Sequence, residues 1–224
     1  RERAGLEATP EEQRSPEDST RIVQLRQLEV YLQRARERMG HARRALRGRR
    51  GERAYRRANT ALAELKRARD QLRDPVQILD ALLRDGSELA RHTGTRARLG
   101  ALGSATPGTA LNAGALPEAP PWLTLALLRE GQQSLGERTS ELNERLLSGM
   151  KYAEQLAQAA PSTQEEAAQL AEQQRVLEQV AAASPLVGEA DAAFAEALIA
   201  LEVEDEATAL RSQRQGLTSL AAAR

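Results

Sequence analysis

His41 and His92 are the only imidazoles in the chain, and there is no cysteine. A transition-metal site needs several such ligands at fixed spacing, as in HExxH on one helical turn, and neither histidine has a second one close in sequence. His41 stands beside Arg43 and Arg44, a poor setting for a cation, while His92 reads as a cap at a helix end. No acidic loop of EF-hand spacing occurs. Ser134 lies in Gly131-Gln-Gln-Ser-Leu-Gly136, which lacks the GxSxG spacing of a nucleophile elbow and falls inside a heptad pattern. Gly100, Gly103 and Gly108 are followed by no Gly-Lys-Ser/Thr, so no phosphate cradle is expected. Glu202, Glu204, Asp205 and Glu206 are the densest carboxylates. A general acid or base needs burial and a perturbed pKa, and these four read as a solvated turn. The expectation is therefore no catalytic residue, no metal ligand and no cofactor.

Arginine is the side chain that stands out. Basic and acidic residues balance at 32 each, but residues 1–100 hold 24 basic against 15 acidic and residues 101–224 hold 8 against 17. The division sharpens locally: residues 34–73 carry 15 basic and 4 acidic, residues 153–206 carry 1 and 12. Opposed fields of this size steer association and select orientation, although a single exposed ion pair contributes only about 0–1 kcal/mol. Within the block 43–57, Arg49, Arg50, Arg53 and Arg57 are candidate contacts, since a guanidinium suits phosphate as well as carboxylate. That block offers one aromatic, Tyr55, for base stacking, and the acidic half repels a polyanion, so nucleic acid and anionic membrane are the second reading.

The elements that carry these side chains read as helices throughout. Apolar residues are 41% of the 224 and aromatics 2%, too few of the latter for sheet-building runs. No apolar run approaches the roughly 20 residues of a membrane span. Arg1–Arg14 reads as a disordered lead. Ser15-Pro16-Glu17-Asp18 starts a helix, by cap, first-turn proline and dipole-matched acids. From Leu25 through Leu28, Leu32, Ala35, Met39, Ala42 and Leu46 the spacing alternates three and four, predicting a single buried seam. The turn at Gly48 to Gly51 leads to a second helix striped by Ala58, Ala61, Leu65, Ala68 and Leu72. Asp74-Pro75 ends it and opens a third, expected to stop at His92-Thr93-Gly94.

Residues 94–120, rich in Gly, Ala, Thr and Pro, read as a linker. Pro120-Pro121 then opens a helix of about 40 residues, roughly 60 Å long, whose seam is interrupted by Gln132, Thr139 and Gly149. Polar seam residues fix register at a cost in stability, so Gln132 and Thr139 are expected to face a defined helical partner. Trp122, at the head of that helix, covers the end of a bundle or anchors a partner. A fifth helix follows a Thr163–Glu166 capping box and runs to Ser184-Pro185; a sixth stretch is broken near Glu202 to Asp205. The halves look alike, Ala45-Leu46 echoing Ala197-Leu198, with spacings that differ by three residues.

The pattern Met39-x-x-Ala42-x-x-x-Leu46, a glycine turn, Ala54, Ala58, then Ala61-Leu62-x-x-Leu65-x-x-Ala68 resembles helical hairpins of large bacterial envelope-associated proteins that accompany MoxR-type ATPases and von Willebrand-type domains. The resemblance covers residues 39–70 and faintly 193–220, and it implies an exported or membrane-tethered scaffold without carrying over any functional residue. The near-absence of lysine (Lys66 and Lys151) fits a GC-rich bacterial genome, and the arginine at position 1 reads as the start of an excised or processed piece. Envelope and cytoplasm both remain open as compartments. Taken together, the sequence predicts an all-α, elongated helical bundle with coiled-coil-like hairpins and about six helices. It divides into a basic three-helix unit (15–93), a linker and an acidic three-helix unit (121–224). The expected role is non-enzymatic protein–protein interaction or self-association, with nucleic acid disfavoured.

Overall fold

The computed structural model describes the backbone of residues 2–10, 13–103, 120–157 and 164–224, and their side chains apart from 16, 17, 99–103 and 152–173. Among the described residues every regular element is an α-helix: α1 (Glu2–Ala8), α2 (Pro16–Arg47), α3 (Gly51–Asp70), α4 (Pro75–Gly103), α5 (Leu125–Ala157), α6 (Gln164–Glu202) and α7 (Glu206–Ala223). The all-α helical-bundle expectation holds. The chain forms two compact units, Arg1–Asp74 and Pro75–Arg224. The break therefore falls at Asp74-Pro75, and the third helix, grouped by sequence with the basic unit, belongs to the second unit.

In the first unit, Ser15 caps α2 as expected: its Oγ accepts from Asp18 N at 3.0 Å, and Asp18 Oδ2 accepts from Ser15 N at 3.3 Å. Such a reciprocal cap is worth about 1 kcal/mol. Residues 2–8 of the expected disordered lead form α1 instead. Its acids meet α2 through Arg21 to Glu2 at 2.9 Å and Arg26 to Glu7 at 2.8 Å. α2 and α3 form an antiparallel hairpin whose contact is built from alanines: Ala35, Ala42 and Ala45 face Ala54, Ala61 and Ala68, all buried. Small side chains let the two backbones approach closely. Tyr31, also buried, lies between two cations, Arg67 at 4.7 Å and Arg34 at 6.0 Å from its ring.

The hairpin turn closes by paired bonds, Arg50 N to Ala45 O and Arg49 N to Leu46 O, both 2.9 Å. That is a Schellman arrangement, which needs a left-handed residue after the helix. Arg49 supplies it at φ 54°, although Gly48 is adjacent with φ −82°. The α6–α7 turn repeats this with Asp205 N to Ala200 O, Glu204 N to Leu201 O and Glu204 at φ 63°. Superposing Arg49 on Glu204 pairs Ala35, Ala42, Ala45 and Ala54 with Ala190, Ala197, Ala200 and Ala209 at one constant offset, every one buried. Ala45 therefore matches Ala200 rather than Ala197, and the three-residue mismatch of the sequence comparison disappears.

The second unit packs α4, α5, α6 and α7 around Ile78, Leu82, Leu135, Leu142, Val187, Phe194 and Leu220, each nearly or fully buried. A smaller cluster of Leu123, Leu128, Ala200, Leu201 and Ala209 continues it. α4 runs on through His92-Thr93-Gly94 to Gly103, so the first ten residues of the expected linker are helical. The reason is packing: Thr93 is fully buried, and a Cβ on Gly94 would lie 3.3 Å from Leu210 Cδ2. That glycine permits close approach to α7 and does not end the helix. The remainder of the linker, 104–119, and the Thr163 end of the expected capping box lie outside the described residues. α5 starts at Leu125, where Thr124 Oγ1 accepts from Leu127 N at 3.2 Å, and its 33 residues span about 50 Å. α6 passes through Pro185 without ending.

Candidate interaction surface

The sequence-derived seam of α2 separates into two. Its alanines meet α3, while Leu32, Met39 and Leu46 are 46%, 48% and 63% exposed. α3 behaves alike: Ala61 and Ala68 are buried, and Tyr55, Leu62 and Leu65 are exposed, as is Leu72 just beyond its end. On both helices the exposed residue directly follows a buried or inward-facing one, as Leu32 follows Tyr31, Leu46 follows Ala45, Tyr55 follows Ala54 and Leu62 follows Ala61. One residue turns the helix by about 100°. Because the helices run in opposite directions, that same turn leads to the same side of the hairpin on both. The result is one apolar face. Val30, which precedes Tyr31, points to the other side. The sequence carried the signal in the alternation of small with large residues along each stripe, alanine marking the contact, with exposed Ala58 the exception, and leucine the flank.

Arg49, Arg50 and Arg53 gather at the turn between α2 and α3 and are exposed; Arg57, one turn further, is half-buried. With Arg43, Arg44 and Arg47 they form a basic tip, and none of the seven has an ion-pair partner among the described residues. Glu52 is the carboxylate within this stretch, and it too is exposed.

Gln132 and Thr139 are fully buried inside the second unit and do not face a separate partner, which corrects that expectation. Gln213 Nε2 donates to Gln132 Oε1 at 2.9 Å and to Thr93 Oγ1 at 3.1 Å, and Gln132 Nε2 donates to Phe194 O at 2.9 Å. This network ties α4, α5, α6 and α7 in one register. Gln213→Ala is expected to cost the unit about 2–3 kcal/mol, because it strands the buried Gln132 oxygen. Gln132→Leu with Gln213→Leu removes both partners and is expected to fall near wild type in urea unfolding. A double variant as unstable as Gln213→Ala would refute this.

Trp122 is 43% exposed, with its ring edge-on to His92 at 5.2 Å and 75°. It partly covers the end of the second unit at the α4–α5 junction. His92 is held below the usual histidine range by burial, then by the neighbouring Arg91, whose Nη2 donates to His92 Nε2 at 2.9 Å. Neutral His92 contributes stability above its unfolded pKa of about 6.5, and this is lost as pH falls through the lower folded-state value. Trp122 is the chain's one tryptophan. Its emission is expected to titrate with a midpoint below about 6.5, and His92→Gln should flatten that curve.

Among the described residues no group of three His, Asp or Glu is placed to hold a metal ion, and no helix is long and apolar enough to cross a membrane. Comparison with protein-family models, curated proteins and solved structures finds no match for this chain.

Proposed function

We propose that this chain is a non-enzymatic interaction or scaffold domain, acting through helical packing and complementary charge. The observation that supports it is the single apolar face of the α2–α3 hairpin, with Leu32, Met39, Leu46 and Leu62 exposed together. Contiguous exposed apolar surface of this kind marks interaction sites in folded proteins. The likeness of residues 39–70 to hairpins of envelope-associated proteins leans the same way. A photo-reactive residue placed at Leu46 in the full chain should form crosslinks in the native host that the same group at Val30 does not. Equal crosslinking from both positions, or none from either, would remove the reading.

A second reading rests on the seven arginines at the turn, which have no ion-pair partner among the described residues and suit phosphate groups. It predicts binding to a polyanion that weakens steeply with salt. Unchanged affinity after Arg49→Glu, Arg50→Glu, Arg53→Glu and Arg57→Glu would dispose of it.

A further inference from the structure

The exposed face of α2–α3 has a counterpart in the same molecule. At the offset that superposes the two turns, Leu32, Met39 and Leu46 of α2 fall on Val187, Phe194 and Leu201 of α6. Leu62 and Leu65 of α3 fall on Leu217 and Leu220 of α7. Every α6 member of these pairs is at most 1% exposed, Leu220 is fully buried, and Leu217 is packed against the same core. They are covered by α4 and α5, which lay Ile78, Leu82, Leu135 and Leu142 against them. The two hairpins are thus alike in their alanine contact, their left-handed turn residue and their large aliphatic flank. They differ in cover: α6–α7 has two helices over its flank, and α2–α3 shows the flank bare.

The charges along the margin are inverted between them. Asp191, Glu202 and Glu204 on the α6 side correspond to Arg36, Arg47 and Arg49 on the α2 side. At the Glu202–Glu204 end of that margin the covering helix α5 presents Arg129, whose Nη2 lies 3.6 Å from Glu204 Oε1 and donates to the backbone Glu202 O at 3.0 Å, while Asp191 faces Ser140 and Glu144 of α5. Arg36, Arg43, Arg47 and Arg49 are exposed and have no ion-pair partner among the described residues. A second copy of the hairpin, laid face to face, would set this arginine margin against itself, and like charges directly opposed disfavour association.

We propose that the bare face of α2–α3 receives a pair of helices from another protein, aliphatic along the contact and acidic along the margin, seated as α4 and α5 are on α6–α7. The inference rests on the interaction reading above and adds the occupant's architecture and sign of charge. An acidic residue of that partner stands opposite Arg49 where α5 presents Arg129 to Glu204.

The test uses the full chain and two synthetic two-stranded coiled-coil peptides of about four heptads. Both have leucine at the seam and along one outer face of the pair; one carries Glu and the other Lys at the positions that flank that outer face. The Glu-flanked peptide should bind at least about tenfold more tightly by fluorescence anisotropy, a difference of about 1.4 kcal/mol. Leu32→Ser with Met39→Ser and Leu62→Ser should abolish binding while leaving the circular dichroism unchanged, since all three side chains are exposed. Arg36→Glu with Arg47→Glu and Arg49→Glu should reverse the preference between peptides without depending on the serine variant. Equal or tighter binding of the Lys-flanked peptide, or binding untouched by both sets of substitutions, overturns the proposal. Concentration-dependent self-association of the chain that the serine variant loses, with both peptides inert, also overturns it but leaves the interaction reading standing, with a second copy as occupant. Binding to anionic phosphatidylserine vesicles that ignores the serine substitutions, again with both peptides inert, removes the proposal and the interaction reading together.

Discussion

Phe194→Ala is expected to lower the unfolding free energy of the second unit by about 3–5 kcal/mol, read by urea unfolding on the emission of Trp122. The ring is 1% exposed and sits where helices α4, α5, α6 and α7 converge. Its floor is Gly216, where an added Cβ would stand 2.6 Å from Phe194 Cε1 and 2.9 Å from Cδ1. Gly216→Ala therefore gains about 1 kcal/mol of helix propensity and loses about 1–3 kcal/mol to overpacking against a buried ring. The two substitutions are coupled. With the ring gone, the alanine methyl enters vacated space, so Phe194→Ala with Gly216→Ala should be more stable than the sum of the singles predicts, by about 1–3 kcal/mol. Strict additivity would mean that the ring does not rest on Gly216.

Asp85→Ala is the second large loss, about 3 kcal/mol or more. Arg138 has a side chain 2% exposed, and its Nη1 donates to Asp85 Oδ2 at 2.7 Å across the α4–α5 contact. Removing the carboxylate leaves a guanidinium in the interior with its Asp85 counter-charge gone, which costs more than the pair itself contributes. Asp85 is 21% exposed on its side chain, so water reaches that end and keeps the loss toward the lower part of the range. Replacing both members by apolar residues, Asp85→Leu with Arg138→Met, should restore stability to within about 1 kcal/mol of wild type or exceed it. If the double variant unfolds as readily as Asp85→Ala, shape and not charge governs the site.

Which features could be read from the residues follows from how local their causes are. The α2 start was legible because its cap, proline and acids act within one turn. The break near Glu202 to Asp205 was legible because its polar run coincides with the gap between α6 and α7. Pro185 misled because its cost, about 3 kcal/mol in a helix interior, is met by contacts on both sides of it. Val180 packs against the main core ahead of the proline, and Val187 and Ala190 lie within it beyond. Gly94 misled for the same reason, its role being set by Leu210 far along the chain. Arg138 gave no signal at all, since nothing near it in sequence distinguishes it from a solvated arginine.

The candidate surface was half legible. The arginines were found because their density is a local property. Three-four spacing predicts a buried seam where the structure has a bare apolar face, because it reports which residues share a helix side and not what lies opposite. Alanine against leucine marks which side of each helix meets its hairpin neighbour. Whether the leucine flank is covered, as on α6–α7, or bare, as on α2–α3, is set by helices elsewhere in the chain.

The partners of α4 emerge late in synthesis. Arg96 reaches Glu206 at 2.9 Å and Thr93 accepts from Gln213 at 3.1 Å, contacts separated by 110 and 120 residues. Loop closure over such spans is slow compared with the folding of neighbouring helices, and the α2–α3 and α6–α7 hairpins each join adjacent elements. On the ribosome, α2–α3 can close as soon as Asp70 has left the tunnel, while Ile78, Leu79 and Leu82 wait for the eighteen residues of α7 to be made. During that interval these side chains are exposed, and transiently exposed apolar surface is prone to aggregate.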